Sequence, residues 1–506
     1  MFLSDVNLVP NIVNPSPDYY CTWQTQLYAS NDGKPEKQRA LLDENALFGA
    51  EKPFGWLDFF EKARRDLLFI MDDSWDVPKA GDSEYYGSLV LDAGKFPRYM
   101  SANCNAEALS AIVRDVKEKG WKGLGGWVCA QEAPAFLINY DSVEAYWKDK
   151  LSDMKKSGFA YWKVDWGKKK HNLAFRKMLT RFARQYAPDL VVEHAVVKEI
   201  IPYSDVYRTY DVPAIMSIPM TMQKIAELSG LHAAAVADET GLGLINCEDE
   251  AYIAAAGGFT MGIMRHPYHG NFMNGSPDMS FPTEHRNLKT KIYEIIRAVR
   301  FHRVAPAFSV YDSEISVSSE ILFDNWAFEN TQNEIESWWL TNPLIAPFMN
   351  NGELTKKAPA AISRNAPFPE IEKDQNGNVP FCVSARNPNG VFSIATLGRT
   401  FGRKYYIPEC NVTLNISNSD TIGVFGRYRN LVLKTERTGC SQIFIQDLAD
   451  EVSYDVSDEV LISENQILIP GDLISLIGTM AQPEADTSEP GVIIRLIFAN
   501  CESNVS

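Results

Sequence analysis

Between about Asp18 and His266 the chain repeats one rhythm: a short β-rich apolar run, a polar or Gly/Pro turn, then a longer amphipathic stretch. Eight such runs can be read, at residues 20–26, 67–72, 123–128, 161–165, 190–194, 205–211, 242–246 and 259–264. The intervening stretches carry the helical period. Ala108, Leu109, Ile112, Val113 and Val116 recur at helical spacing within 106–119, as do Leu173, Phe175, Leu179, Phe182 and Ala183 within 173–186. Strands separated by helices pair in parallel, because the crossover returns each strand in the same direction. Eight such units in about 250 residues suit a closed (β/α)8 barrel. An open doubly wound sheet is the competing arrangement, but no Gly-x-Gly-x-x-Gly turn opens a helix after the first strand.

Beyond His266 the texture changes. Residues 289–302, with Ile292, Ile295, Ile296 and Val299 at helical spacing, read as the last barrel helix, and 308–368 is a Trp-rich stretch broken by prolines. From about Gln375, short alternating runs are punctuated by turn signals such as Asn376-Gly377, Pro470-Gly471 and Pro490-Gly491. Residues 391–396, 431–434, 467–469 and 492–498 are expected strands. The expected fold class is therefore α/β, a (β/α)8 TIM barrel followed by a C-terminal antiparallel β-sandwich. The expected division is an N-terminal extension at 1–17, the barrel at 18–310, a connector packing on the barrel at 311–374, and the sandwich at 375–506.

Charge narrows the partners. The 506 residues hold 65 Asp+Glu against 49 Lys+Arg, a formal charge of −16. That excess repels phosphate backbones and anionic lipid, so neither nucleic acid nor a membrane surface is an expected partner. A neutral substrate fits better, and an aromatic content of 11% gives flat rings against which sugar faces can stack. No run reaches the roughly 18 apolar residues of a membrane span, and Met1 to Pro10 lacks the charged and apolar regions of a secretory signal. The eight cysteines form no CxxC pair and read as reduced thiols. A cytoplasmic location is the expectation, with periplasmic or secreted the alternative if a signal has been removed. Sequons at Asn411 and Asn415 arise as readily by chance as for glycosylation, and homo-oligomerisation stays open.

In a (β/α)8 barrel the active site lies at the carboxyl ends of the strands. Here those ends are acidic: Asp72-Asp73-Ser74-Trp75 on the second, Lys163-Val-Asp165 on the fourth, Glu193-His194 on the fifth, Arg208-Thr-Tyr-Asp211 on the sixth, and Glu248-Asp249 after the seventh. Alternation puts Lys163 and Asp165 on one face, where the ammonium favours the ionised carboxylate that a nucleophile requires. Asp211, two strands on, can face Asp165 across the mouth. Retaining glycoside hydrolysis needs two carboxyl groups about 5–5.5 Å apart, whereas about 6.5–9.5 Å suits inversion.

These segments resemble those of the α-galactosidases of glycoside hydrolase families 27 and 36, as a divergent member. Tyr161-Trp-Lys-Val-Asp165 resembles their nucleophile strand, Ile70-Met-Asp-Asp-Ser-Trp75 their Asp-Asp-Gly-Trp strand, Gly125-Gly-Trp127 their Gly-x-Trp third strand, and Arg208-Thr-Tyr-Asp211 their acid/base strand; Cys21-Thr-Trp23 stands at the opening strand. The resemblance implies a retaining exo-acting α-glycoside hydrolase without metal or organic cofactor, with Asp165 as nucleophile and Asp211 as acid/base. It also implies that Asp72 and Asp73 bind O4 and O6, that Lys163 holds hydroxyls near the nucleophile, and that Glu193 and Arg208 hold the 2-OH region. A bulky Glu193 leaves little room for an N-acetyl group, which disfavours an α-N-acetylgalactosaminidase. Ser74 replaces the family glycine, and three positions rather than the frequent four separate Arg208 from Asp211, which makes Asp205 the rival acid/base. Galactose and β-L-arabinopyranose both remain candidate sugars.

Each signal has a plainer reading. Lys163 and Asp165 could form a strand-end salt bridge, and Asp72-Asp73 a turn or helix cap. Trp23, Trp75 and Trp127 could be core or rim packing rather than a sugar platform, and the acids at 248–250 could be loop charges. His266, just past the eighth strand, could touch substrate. His266, His269 and His285 with Asp278 and Glu284 lack the spacing of a zinc helix, and Pro267 breaks any helix there. A silent carbohydrate-binding protein and a metal-dependent barrel hydrolase are the alternatives from other classes.

Overall fold

The computed structural model describes residues 1–30, 35–49, 55–78, 86–209, 216–229, 241–265, 267, 291–327, 349–350, 353–402 and 404–498. Eight parallel strands close into a barrel: β1 (Tyr19–Cys21), β2 (Leu68–Met71), β3 (Gly123–Val128), β4 (Tyr161–Val164), β5 (Val191–His194), β6 (Val206–Arg208), β7 (Leu244–Glu248) and β8 (Thr260–Ile263). Closure is made by β1 against β8, where Tyr19 pairs with Gly262. Every run read from the sequence contributes a strand. The first is cut short, because Trp23 begins a helix, Trp23–Ser30, where the alternating pattern suggests more strand.

Strand alternation sorts side chains to two sides. Tyr20, Phe69, Met71, Leu124, Val128, Trp162, Val164, Val192, Ile245, Cys247, Met261 and Ile263 pack outward into one large core with the surrounding helices. Those helices follow the sequence reading closely, at Asn105–Glu118 and Leu173–Tyr186, the latter capped by the Asn172 side chain accepting from the Phe175 amide. The last one runs from Ile292 to Val304. Tyr19, Cys21, Leu68, Ile70, Tyr161, Val206, Leu244 and Met264 form a separate, inward cluster along the barrel axis.

The C-terminal region is a sandwich of a nine-stranded and a five-stranded sheet. Ile394, Ile422, Val424 and Ile494 of the first interdigitate with Val412, Leu414, Leu431, Leu433 and Ile467 of the second. Most pairings are antiparallel, but Ala361–Arg364 runs parallel to Phe381–Arg386, Phe392–Leu397 to Thr421–Phe425, and Asn411–Ser417 to Asn430–Thr435. The sheets also reach past the boundaries expected from sequence. The N-terminal strand Phe2–Ser4 pairs with Ser453–Asp455, and Ile315–Val317 and Ala361–Arg364, inside the expected connector, belong to the nine-stranded sheet. Another connector strand, Glu353–Pro359, lies against the barrel helix Ser217–Ser229.

The other face of the nine-stranded sheet covers the barrel helices. Ile362, Phe381, Val383, Val391, Ala395 and Phe425 join the barrel's outer core there. Two buried arginines join the halves. Arg297 forms a two-pronged ion pair with Asp447 (Nε–Oδ1 2.8 Å, Nη2–Oδ2 3.0 Å). Arg364 donates to the carbonyls of Gly257 and Gly258 at 2.9 Å, satisfying the open C-terminal end of helix Ala251–Gly257.

Candidate active site

Parity predicts which side chains meet at the carboxyl end of the axis. Counting inward positions from Ile70, Tyr161, Val206 and Leu244 gives Asp72, Lys163 and Asp165, Arg208, then Asn246 and Glu248; Trp127 and Glu193 follow on β3 and β5. All are buried. Three carboxylates, those of Asp165, Glu193 and Glu248, surround the single guanidinium of Arg208, and Asp72 pairs with Lys163.

Asp165 follows β4, its amide bonded to the Val128 carbonyl at 3.1 Å and its own carbonyl held by Arg176 Nη2 at 2.5 Å. Its side-chain oxygens differ. Oδ2 accepts from Arg208 Nη2 at 3.1 Å and, more loosely, from Trp127 Nε1 at 3.4 Å, whereas Oδ1 is buried with no hydrogen-bond partner among the described residues. Burial pushes this carboxyl up, but Arg208 and then Lys163 outweigh it and hold it below its ordinary value. Asp165 is therefore a carboxylate with one oxygen anchored and the other unengaged.

Lys163 Nζ donates to Asp72 Oδ2 at 2.5 Å, and the Cys21 thiol donates to the same oxygen at 2.7 Å. Burial and Arg208 push the ammonium down, yet Asp72, Cys21 and Asp165 together hold it above its ordinary value, so it stays charged. Asp73 lies beside Asp72 in sequence but takes different partners: Ser74 Oγ at 2.6 Å and Arg39 Nε at 3.3 Å. Burial raises its carboxyl, with Arg39 opposing. Ser74 adopts φ 82°, a left-handed backbone in which glycine is the unstrained residue. Its hydroxyl contact with Asp73 is what a glycine there would lack.

Glu193 is fully enclosed, with 1% of its surface exposed. Tyr161 donates to Oε2 at 2.9 Å, and Tyr19 lies 3.1 Å from Oε2 and 3.3 Å from Oε1; Arg208 Nε lies 3.3 Å from Oε1 as an ion pair, off the line of a hydrogen bond. Burial dominates and raises this carboxyl to about 7, against the pull of Arg208 and Lys163.

The remaining sequence candidates separate by place. His194 faces the helix layer, between Arg176 (3.2 Å) and Thr180 (2.9 Å), and burial drives its imidazole far below the ordinary range. Asp205 precedes β6 at the opposite end of the barrel. It accepts from the amides of Val192 (2.9 Å) and Leu242 (3.1 Å) and pairs with Arg184, which leaves it a structural acid remote from the mouth. Trp75 has no exposed surface; its indole donates to the Trp127 carbonyl at 2.9 Å and its ring leans on Phe159, which makes it a core residue. Trp127 is also buried, against Tyr86 and Trp166, with its N–H turned to Asp165. Trp23 is half-buried over the inward cluster. Of the acids at 248–250, Glu248 faces the axis, 3.9 Å from Arg208 Nη1, with Oε2 lacking a hydrogen-bond partner among the described residues. Asp249 instead accepts from the amides of Met264 and Arg265, and Glu250 takes the Ser217 hydroxyl. Asp211, His266 and the other histidines and acids of 268–290 lie outside the described residues.

Sequence reasoning passed over Tyr19, Tyr161, Cys21, Arg39 and Arg176. Tyr19, Cys21 and Tyr161 are inward by strand parity and were available from that signal. Arg39 and Arg176 reach the site from helices, and no local pattern marks them. Among the described residues no group of three or more His, Cys, Asp or Glu side chains is placed to hold a metal ion, and no helix is long and apolar enough to cross a membrane.

Fold and site together define a (β/α)8 barrel whose mouth carries an Asp–Lys pair beside carboxylates gathered on one arginine. The sequence matches no family profile and no curated protein. Among solved structures, a family 27 β-L-arabinopyranosidase from Geobacillus stearothermophilus is similar at 8% identity and TM-score 0.43, covering 97% of this chain and 98% of that one. A single-residue variant of that arabinopyranosidase, in complex with arabinose, is similar at 11% identity and TM-score 0.40, covering 96% and 98%. The α-galactosidase of Saccharomyces cerevisiae with raffinose is similar at 10% identity and TM-score 0.36, covering 96% and 95%. Identities this low leave the chemistry to be argued from the residues of this chain.

Proposed function

We propose that the protein is a retaining, exo-acting α-glycoside hydrolase acting on a terminal galactose-configured sugar, an α-galactosidase by preference. Asp165 attacks the anomeric carbon, the bond to the leaving oxygen breaks, and a glycosyl-enzyme forms; Asp211 protonates the leaving oxygen, then as a base takes the proton of the water that releases the sugar. The observation that carries this reading is the asymmetry of Asp165. Arg208 and Trp127 fix Oδ2 and keep the group ionised, while Oδ1 keeps its lone pairs for attack. Lys163 and Asp72 offer a charged pair to sugar hydroxyls, and Asp73, Arg208, Trp23 and His266 complete the proposed contacts.

Trapping with a 2-deoxy-2-fluoro galactosyl fluoride followed by peptide mapping tests nucleophile, sugar and retention together. Label is expected on Asp165, and label on any other residue overturns the assignment. Asp165→Ala is expected to lower turnover of an aryl α-galactoside by about 10⁴-fold or more. Asp211→Ala is expected to retain glycosylation on good leaving groups and to be rescued by azide. Parallel assays on aryl β-L-arabinopyranoside and aryl α-N-acetylgalactosaminide rank the sugars, with the last expected to be poorest.

A further inference from the structure

Glu193, Tyr19 and Tyr161 form a buried assembly below the site that the proposed chemistry does not use. Glu193 projects from β5 between β4 and β6, and its carboxylate is enclosed by two phenols and one edge of Arg208. The two rings meet edge-on, 5.2 Å between centres, so each braces the other's hydroxyl toward the same oxygen, Oε2. Tyr19 also reaches Oε1 at 3.3 Å, the oxygen that lies 3.3 Å from Arg208 Nε, while Nη2 of the same rigid guanidinium engages Asp165 Oδ2 at 3.1 Å. A planar group held on two edges by two carboxylates can shift toward one only by leaving the other. With 1% exposure, two phenol donors and the guanidinium edge around it, Glu193 is shut away from a substrate hydroxyl among the described residues.

We propose that Glu193, clamped by Tyr19 and Tyr161, is a positioning residue that sets where Arg208 sits relative to Asp165, instead of binding the sugar 2-OH directly. The two phenols take up Oε2 and Tyr19 shares Oε1, so that Glu193 faces Arg208 Nε without a hydrogen bond, leaving the hydrogen-bonded contact to Asp165. Removing the phenols takes away two donors that hold this carboxyl down, so it titrates higher still, and above that pH the bare buried carboxylate draws the guanidinium toward itself. Asp165 then loses its principal cation. The charged and titratable groups facing Glu193 are Tyr19 from β1, Tyr161 and Lys163 from β4, and Arg208 from β6, with Asp165 and Glu248 on the far edges of Arg208. Ionised Glu193 competes for Arg208, and burial places its titration at about 7, within the range over which activity would be measured.

The inference rests on the glycosidase reading for its kinetic test but not for its structural one. The variants are Tyr19→Phe, Tyr161→Phe and their combination, which keep both rings, with Glu193→Gln as a second route should the double variant fold poorly. In crystals of the double variant held at alkaline pH, where Glu193 is ionised, Arg208 is expected to move by about 1 Å away from Asp165, a displacement of the size that costs about 10²-fold in rate. An unmoved guanidinium overturns the proposal whether or not the protein hydrolyses glycosides. On an aryl α-galactoside, kcat is expected to fall about 10- to 100-fold with KM little changed, and the acid limb of the pH profile to rise as Asp165 loses Arg208. In Glu193→Gln, the wild-type preference for the glycoside over its 2-deoxy analogue is expected to persist. Loss of that preference, or a rise in KM alone, identifies Glu193 as a direct 2-OH ligand and overturns the proposal. A wild type inactive on every aryl glycoside sinks the functional reading instead, and the crystallographic result still decides the positioning role.

Discussion

Ser74 combines a strained backbone with a hydrogen bond that the glycine it replaces could not make. It occupies the left-handed region at φ 82°, yet its hydroxyl aligns Asp73 at 2.6 Å. Ser74→Gly and Ser74→Ala lose the same hydroxyl and differ in backbone fit, so the glycine variant is expected to be more stable than the alanine variant by about 1 kcal/mol in thermal unfolding. The reverse order would show that the turn relaxes elsewhere. Glu193 gives a prediction with a definite sign. Its folded value, about 7, lies above its ordinary 4.5, so between those values the folded protein binds a proton that the unfolded chain has released. Its contribution to stability is thus complete below about pH 4.5 and is lost as pH rises through about 7. Thermal midpoints of wild type minus Glu193→Gln, compared at pH 5 and pH 8, are expected to fall toward the higher pH. Asp76 and Asp249, raised by burial to about 6, act in the same direction in both proteins and cancel in the difference.

At the scale of elements, strand parity carries both fold and site. The alternation that sends Trp162 and Val164 outward sends Tyr161, Lys163 and Asp165 inward, so one four-residue strand and the residue after it supply both the core and the proposed chemistry. The same rule leaves Asp205 at the wrong end of β6 for catalysis, joining β5 to the chain before β7 through two backbone amides. Asp205→Ala orphans both amides and is expected to cost about 2–4 kcal/mol in stability while kcat measured on the folded enzyme stays near wild type. A selective loss of kcat with unchanged stability would restore Asp205 as an acid/base. Trp75, a candidate for either sugar contact or core packing in the sequence, follows the turn at Ser74 and lies against β3, where its N–H finds the Trp127 carbonyl. A turn of that kind breaks the period on which the expectation depends.

For the molecule as a whole, the sandwich is seated on the barrel through small residues and buried charge. Gly423 faces the Phe301 ring so closely that an added Cβ would stand 2.3 Å from it. Gly423→Ala is therefore expected to destabilise by about 1–3 kcal/mol through forced displacement of the ring or sheet. Breaking the Arg297–Asp447 pair by Asp447→Ala strands a buried guanidinium, at an expected cost of about 3–5 kcal/mol read as a lowered unfolding midpoint. An unchanged midpoint in either variant would mean that the two halves do not support one another. The N-terminal strand Phe2–Ser4 completes this arrangement, since it follows a path along the sandwich before the chain enters the barrel.

The sequence alone determined the eight barrel strands, three of the barrel helices, four of the sandwich strands and the position of Lys163 and Asp165 on one face. These follow from local periodicity, which hydrophobic burial enforces at spacings of two and of three to four residues. Tertiary structure alone decided which acids share Arg208, that Asp72 and Asp73 take different cations, that Asp205 and His194 are structural, and that strands from both sides of the barrel enter one sheet. Those outcomes depend on side chains from separate strands converging on the barrel axis and on pairing across hundreds of residues, such as Leu3 with Tyr454, for which no local pattern exists. Burial then set the charge states, because a carboxylate deep in the barrel keeps or loses its proton according to the cations and phenols that closure brings beside it.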